Sequence, residues 1–278
     1  MRASVAADKI RFPPAFAATV IYLPLVMVSL VEAGNKAVIR CVCMSLLSLS
    51  LAVAAVAQEP LPDPRRADLR PSDRLGALLD RMQLEQAAVE TLEADFVQLK
   101  ESQFLMAPAE SAGQFSYAAP DRVRWEHRSP TPISLLITGG EMITWYRDLE
   151  KVERMLVGRH SQRILEYLGA TGSVEQLRKY FSVRLELETD RSQPYRLELT
   201  PRYSRIAKRL QKMIVWVDPE LFLLSRLRLV EPDGDLTEYR FNRLRVNGGL
   251  PPERFDLDLP TGIVVDTVDF EARLGIRQ

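Results

Sequence analysis

GQFSYAAPDRVRWEHRSPTPISLLITGGEMITWYR, residues Gly113 to Arg147, is a run of short strands broken by turns. Apolar and aromatic residues recur at every second position: Phe115 and Tyr117, Val123 and Trp125, Ile143 and Trp145. Alternation of period two gives each strand one apolar and one polar face. Ala119-Pro120-Asp121 and Ser129-Pro130-Thr131-Pro132 read as turns, and Gly139-Gly140 as a tight hairpin turn between ISLLIT and EMITWYR.

The pattern extends in both directions. Upstream, LEADFVQLKES reads as a strand with Phe96 on one face and Val97 and Leu99 on the other. Before it, Ser72 or Asp73 caps a predicted helix running to about Glu90. Leu75, Leu78, Leu79 and Met82 form its single apolar stripe. Downstream, Val183–Leu187, Tyr195–Leu199, KMIVWV, LFLLSRLRLV and TEYRFNRLRV alternate in the same way, with Tyr239 and Phe241 inward; RFDLDLP and GIVVDTV are expected to finish the sheet. Residues 159–181 break the pattern. Ile164, Leu165 and Leu168, then Leu177, Tyr180 and Phe181, fall at helical spacing on either side of Gly169 to Gly172, a Gly-hinged helical pair. The reading is roughly ten strands and about three helices: a mainly β (α+β) chain. An antiparallel sheet of this length must curl, and helices must cover its apolar concave face.

The N-terminal quarter is different. Residues 37–57 have a basic flank at Lys36 and Arg40, an apolar core from Leu46 to Val56 and a small-residue site at Ala55-Val56-Ala57, the order of a secretory signal peptide cut before Gln58. The earlier apolar run Ala15 to Val31 contains Pro24; the reading places the natural start at Met27, with residues 1–26 upstream sequence. Residues 58–71 are a Pro-rich charged linker, and 72–278 a single domain. Both cysteines, Cys41 and Cys43, lie inside the signal, so the mature chain is expected to stand on its core without a disulfide. It keeps 32 basic and 35 acidic residues, a balance that argues against nucleic acid as a partner.

No nucleophile elbow, phosphate loop, dinucleotide fingerprint or zinc motif is present. His127 and His160, the only histidines, read as surface or loop residues rather than metal ligands. Asp256 and Asp258 read as the polar face of a strand. No catalytic residue, metal or cofactor is expected. The aromatics are therefore either core or the lining of a site for something apolar. Phe96, Phe115, Tyr117, Val123, Trp125, Leu136, Ile143, Trp145 and Trp216 are the candidate lipid-binding residues, with Leu165 and Leu168 as a lid.

From about Leu75 to Val268 the chain resembles the periplasmic outer-membrane lipoprotein carrier family, the LolA-like proteins. The resemblance rests on Ala94-Asp95-Phe96-Val97-Gln98 after a helix, Gly113 with Pro120 and Val123-Arg124-Trp125, Thr138-Gly139-Gly140-Glu141 before Trp145-Tyr146, Leu199-Thr200-Pro201, and Phe255-Asp256-Leu257 with Pro260-Thr261-Gly262-Ile263-Val264-Val265. It implies an incomplete, strongly curved antiparallel barrel with a helical lid over a hydrophobic cavity. It also implies a monomeric periplasmic carrier that takes lipoprotein acyl chains from an inner-membrane exporter complex to an outer-membrane acceptor. Ala119 stands where the family has an arginine linked to lid closure, with Arg122 or Arg124 as candidate substitutes, and Val123 stands where it has a phenylalanine that engages the exporter. A carrier of another lipid, an envelope sensor or interaction module on the same fold, and a hydrolase using a carboxylate such as Asp256 are the competing readings.

Overall fold

A computed structural model of the protein describes residues 63–158, 174–188 and 190–268. The signal segment, His160 and the proposed lid residues Leu165 and Leu168 lie outside the described residues.

Helix α1 (Pro71–Ala87) begins with Pro71 at its first position, where a missing N–H costs nothing. It buries Leu78, Leu79 and Met82 of the expected stripe together with Ala77, while Leu75 packs against the core only partly buried. The sheet then runs through β1 (Thr91–Glu101), β2 (Ala109–Ala118), β3 (Arg122–Ser129), β4 (Ile133–Thr138), β5 (Glu141–Tyr146) and β6 (Lys151–Leu156). A short helix α2 (Val174–Tyr180) leads into β7 (Phe181–Glu186) and β8 (Tyr195–Pro201). After a single turn of helix, α3 (Ser204–Ala207), come β9 (Lys212–Val217), β10 (Leu224–Val230), β11 (Leu236–Val246) and β12 (Val265–Val268).

All twelve strands join one sheet in the order β12-β6-β5-β4-β3-β2-β1-β11-β10-β9-β8-β7. Nearly every neighbour is a hairpin partner, so the register is set locally. The β4–β5 turn uses Gly139 (φ 57°) and Gly140 (φ 79°), two left-handed positions that match the strand twist and favour glycine. The long-range closure is β1 against β11, with Phe96 opposite Phe241 and Gln98 opposite Tyr239.

The sheet curls toward one face. Trp125 of β3 and Tyr239 of β11 are three strands apart, about 14 Å across a flat sheet. Their ring centroids are 5.6 Å apart. On this inner face Phe96, Phe115, Tyr117, Val123, Trp125, Ile133, Leu135 and Ile137 pack with Met142, Tyr146, Met155 and the α1 stripe into one core.

The structure departs from the sequence reading at several elements, and neither Ser72 nor Asp73 caps α1, whose N-cap position is Arg70. The charged hexapeptide Lys151–Leu156 is a strand, hidden in the sequence because only Val152 (0% exposed) and Met155 (3%) mark it as buried. RFDLDLP is not a strand: Pro252–Phe255 forms a 3₁₀ turn and the chain to Pro260 makes no ladder. Prolines 251, 252 and 260 withhold the N–H groups a ladder needs. Only Val265–Val268 of GIVVDTV joins the sheet, and it lies parallel to β6. The second half of the Pro-rich linker is also docked. Pro64 is buried, Arg65 donates to the carbonyls of Arg191 and Gln193, and its guanidinium lies 4.4 Å from the Tyr195 ring.

Candidate functional site: the inner face of the sheet

Strand parity sorts the nine candidate residues into two groups. Phe96, Phe115, Tyr117, Val123 and Trp125 lie together on the inner face. Their rings interlock: Phe96–Trp125 at 5.3 Å, Phe115–Trp125 at 5.2 Å, and Trp125 against Phe241 at 6.1 Å. Such tilted and edge-on pairs contribute about 0.5–1.5 kcal/mol each beyond the area they bury. Tyr239 and Phe241 belong to this group by contact; the alternation of TEYRFNRLRV points them inward, but only the β1–β11 pairing sets them against Trp125.

Leu136, Ile143, Trp145 and Trp216 are on the outer face, which is a correction to the grouping read from sequence. In β5 it is Met142, Thr144 and Tyr146 that are buried inward. ISLLIT and EMITWYR carry apolar residues at both parities, so the pattern alone does not say which set is inside. Leu136 is buried with Ala118 and Phe255 in a separate outer cluster. There Arg124 donates to the carbonyls of Arg254 (3.1 Å) and Asp256 (3.0 Å), and Arg122 lies 5.0 Å from the Phe255 ring. Both arginines therefore hold the 254–256 segment against the outside of the sheet. Trp216 is half-buried among Arg226 (4.2 Å), Arg228 (5.6 Å) and Arg196 (5.9 Å). Beside it Glu238, 1% exposed, accepts from Arg226 (2.8 Å), Arg228 (2.7 Å) and Arg240 (2.6 Å).

The inner face also holds polar groups that the sequence reading missed. His127 is not a surface residue; it is 3% exposed, on β3, with its ring 4.9 Å from Phe96. Ser111 Oγ lies 3.3 Å from Gln98 Oε1 and 3.3 Å from His127 Nδ1. If the single hydroxyl proton goes to Gln98, Nδ1 donates to Ser111 and the imidazole is held in that tautomer. The parity of β1 and β2 already placed Gln98 and Ser111 on the Phe96 face; the pairing of three strands brings His127 to them. Trp125 Nε1, by contrast, is buried and has no hydrogen-bond partner. A buried donor left unpaired costs about 1–3 kcal/mol.

Burial pushes the His127 pKa down from 6.5 to about 4, so the ring is neutral at pH 7. The unfolded chain takes up this proton near pH 6.5 and the folded chain near 4. Stability therefore falls as pH drops through that window and levels off below it, by about 3 kcal/mol in all. His127→Gln is expected to lose that much less stability than the wild type between pH 7 and 4 in urea unfolding. Parallel losses in the two proteins would refute the assignment.

Among the described residues, no group of three His, Cys, Asp or Glu side chains is placed to hold a metal. The site offers aromatic and aliphatic surface with a short polar row at one end, a composition suited to binding an apolar group.

The family profile described as "Outer membrane lipoprotein carrier protein LolA" matches residues 87–258. An outer-membrane lipoprotein carrier protein of Methylococcus capsulatus is 26% identical over 206 residues, 72% of this chain and 89% of that protein. Another, from Alkalilimnicola ehrlichii, is 25% identical over 180 residues, 63% of this chain and 76% of that protein. Among solved structures, MucB superposes with a TM-score of 0.44 at 13% identity, covering 67% of this chain and 62% of MucB, so the chain spans under two thirds of MucB's length.

Proposed function

The chain belongs to the outer membrane lipoprotein carrier (LolA) family, and from that membership we propose that it is a periplasmic carrier that shelters acyl chains on the inner face of its sheet. The observation that carries the reading is the interlocked set Phe96, Phe115, Trp125, Tyr239 and Phe241, five rings from four strands on one concave surface. An acyl chain in water forfeits about 0.8 kcal/mol per exposed methylene, so a surface of this kind is what lets it cross an aqueous compartment. The transfer needs no covalent chemistry: an inner-membrane exporter gives up the cargo, the carrier holds it, and an outer-membrane acceptor takes it. Tyr117 and Val123 extend the lining, and Leu165 and Leu168 form the lid. The working unit is a monomer of residues 72–278, delivered by the signal segment.

Protein purified natively, without detergent, is expected to carry acylated cargo or lipid detectable by mass spectrometry. Delipidated protein is expected to bind a fluorescent fatty acid that free acyl chains displace. A ligand-free preparation that ignores added acyl chains would sink the reading.

A second reading, an envelope sensor or interaction module, is favoured by Trp216 on the outer face. It lies within an arginine-rich patch in which Arg184 and Arg240 are 67% and 57% exposed. It predicts a stable complex with an acidic protein segment, weakened by Trp216→Ala while acyl-chain binding is unchanged.

A further inference from the structure

The inner face is not uniformly apolar, and its polarity runs in one direction. From the start of β1 the facing residues are Leu92, Ala94 and Phe96, then Gln98; on β2 the partners in the same order are Tyr117, Phe115 and Gly113, then Ser111. On β3 they are Val123 and Trp125, then His127. One end of the surface is hydrocarbon. The other, toward the 102–108 loop between β1 and β2, is the row Gln98, Ser111 and His127, each at most 7% exposed. Trp125 stands at the junction, 7% exposed, with its Nε1 unpaired.

That lone donor stands out on this face. Among the described residues the other buried polar side-chain atoms without partners are Arg65 Nε, Arg124 Nε, Arg154 Nε, Arg226 Nε, Ser134 Oγ and Asp235 Oδ1. Arg124, Arg154, Arg226 and Ser134 pair across the ladders with outer-face residues, while Arg65 is in the docked linker and Asp235 in a turn. The rings packed against the Trp125 indole are Phe96, Phe115, Tyr239 and Phe241. An indole N–H can only donate, so the group that completes it must be an acceptor.

We infer that Trp125 Nε1 is the binding site for the carbonyl oxygen of the cargo's acyl linkage, an ester or amide, at the junction between the apolar surface and the Gln98–Ser111–His127 row. This rests on the carrier reading and deepens it by giving the cargo an orientation. The hydrocarbon lies toward Leu92, Tyr117 and Val123, the carbonyl sits at Trp125, and the polar part of the molecule leaves past His127 toward the 102–108 loop. A pure hydrocarbon would leave the indole unpaired and bind less well than an acyl compound of equal length.

The test compares 1-monomyristoylglycerol with 1-O-tetradecylglycerol, an ether of the same chain length and headgroup that lacks only the carbonyl. Wild-type protein is expected to bind the ester about tenfold more tightly, the scale of one buried neutral hydrogen bond. Trp125→Phe, which keeps an aromatic ring and removes the donor, is expected to bind both equally, near the wild-type affinity for the ether. In a ¹⁵N-labelled sample the Trp125 indole cross-peak should move downfield with the ester and not with the ether. Equal wild-type affinities, or a Trp125→Phe loss shared by both ligands, would overturn the inference while leaving the carrier reading standing. Binding of neither ligand would overturn both. Should Trp125→Phe not fold, the wild-type affinity ratio and the cross-peak decide the matter alone.

Discussion

Gly113→Ala is expected to destabilise the protein by at least about 4 kcal/mol, a size that single substitutions rarely reach. A β-carbon at this position would fall 1.9 Å from the carbonyl oxygen of Glu126 and 2.7 Å from Phe96 Cζ. The ring tip could rotate away. The carbonyl cannot, because it belongs to the backbone of β3, where the β2–β3 register shifts between Ala112 and Gly113. Thermal unfolding should show a Tm lower by on the order of 10 °C for a domain of this size. The double variant with Phe96→Leu should recover little of it, since the nearer obstacle remains. A Tm within about 2 °C of wild type would mean that β2 and β3 are not this close.

Glu238→Gln is expected to cost about 4 kcal/mol, within the range for removing one partner of a buried ion pair. The carboxylate is 1% exposed and accepts from three arginines. Glutamine would turn an amide N–H toward them. Burial alone would raise the Glu238 pKa, but hydrogen bonds from Arg226, Arg240 and Arg228 outweigh it and hold the group down to about 2, below its ordinary 4.5. A lowered carboxylate pKa gives stability that is complete above pH 4.5 and lost as pH falls toward 2. The gap between wild type and Glu238→Gln should therefore be constant from pH 7 to about 5 and close below 4.5. This lies below most of the His127 window, so the two groups can be separated by titrating stability. A gap that persists at pH 2 would show that packing, not charge, is at stake.

Much of this architecture was legible in the chain, for identifiable reasons. Period-two alternation in FSYA, VRWEH, VRLEL and YRLEL gave the strands, and the Leu75–Met82 spacing gave the covering helix. Gly139-Gly140 marked a hairpin that the structure contains. Where both parities are apolar, the same rule has no content. Leu136, Ile143, Trp145 and Trp216 read like the inner residues because a large apolar side chain at a strand position suits either face. On the outer face, arginine guanidinium groups and a strap of irregular chain cover these side chains, a form of burial that alternation does not encode.

By itself the sequence determined a mainly β chain, because hydrophobic periodicity and turn chemistry are local and survive without neighbours. Membership of the family was carried by short motifs in order. The tertiary structure decided which apolar residues share a surface, because that depends on pairing β1 with β11 across the intervening residues 102–235 and on the direction in which the sheet curls. It decided that His127 is buried and neutral, that Glu238 lies under three arginines, and that Trp125 keeps an unpaired donor on the inner face. Each of these is a property of neighbours brought together by the sheet, and desolvation and charge pairing act on neighbours in space, whatever their order in the chain.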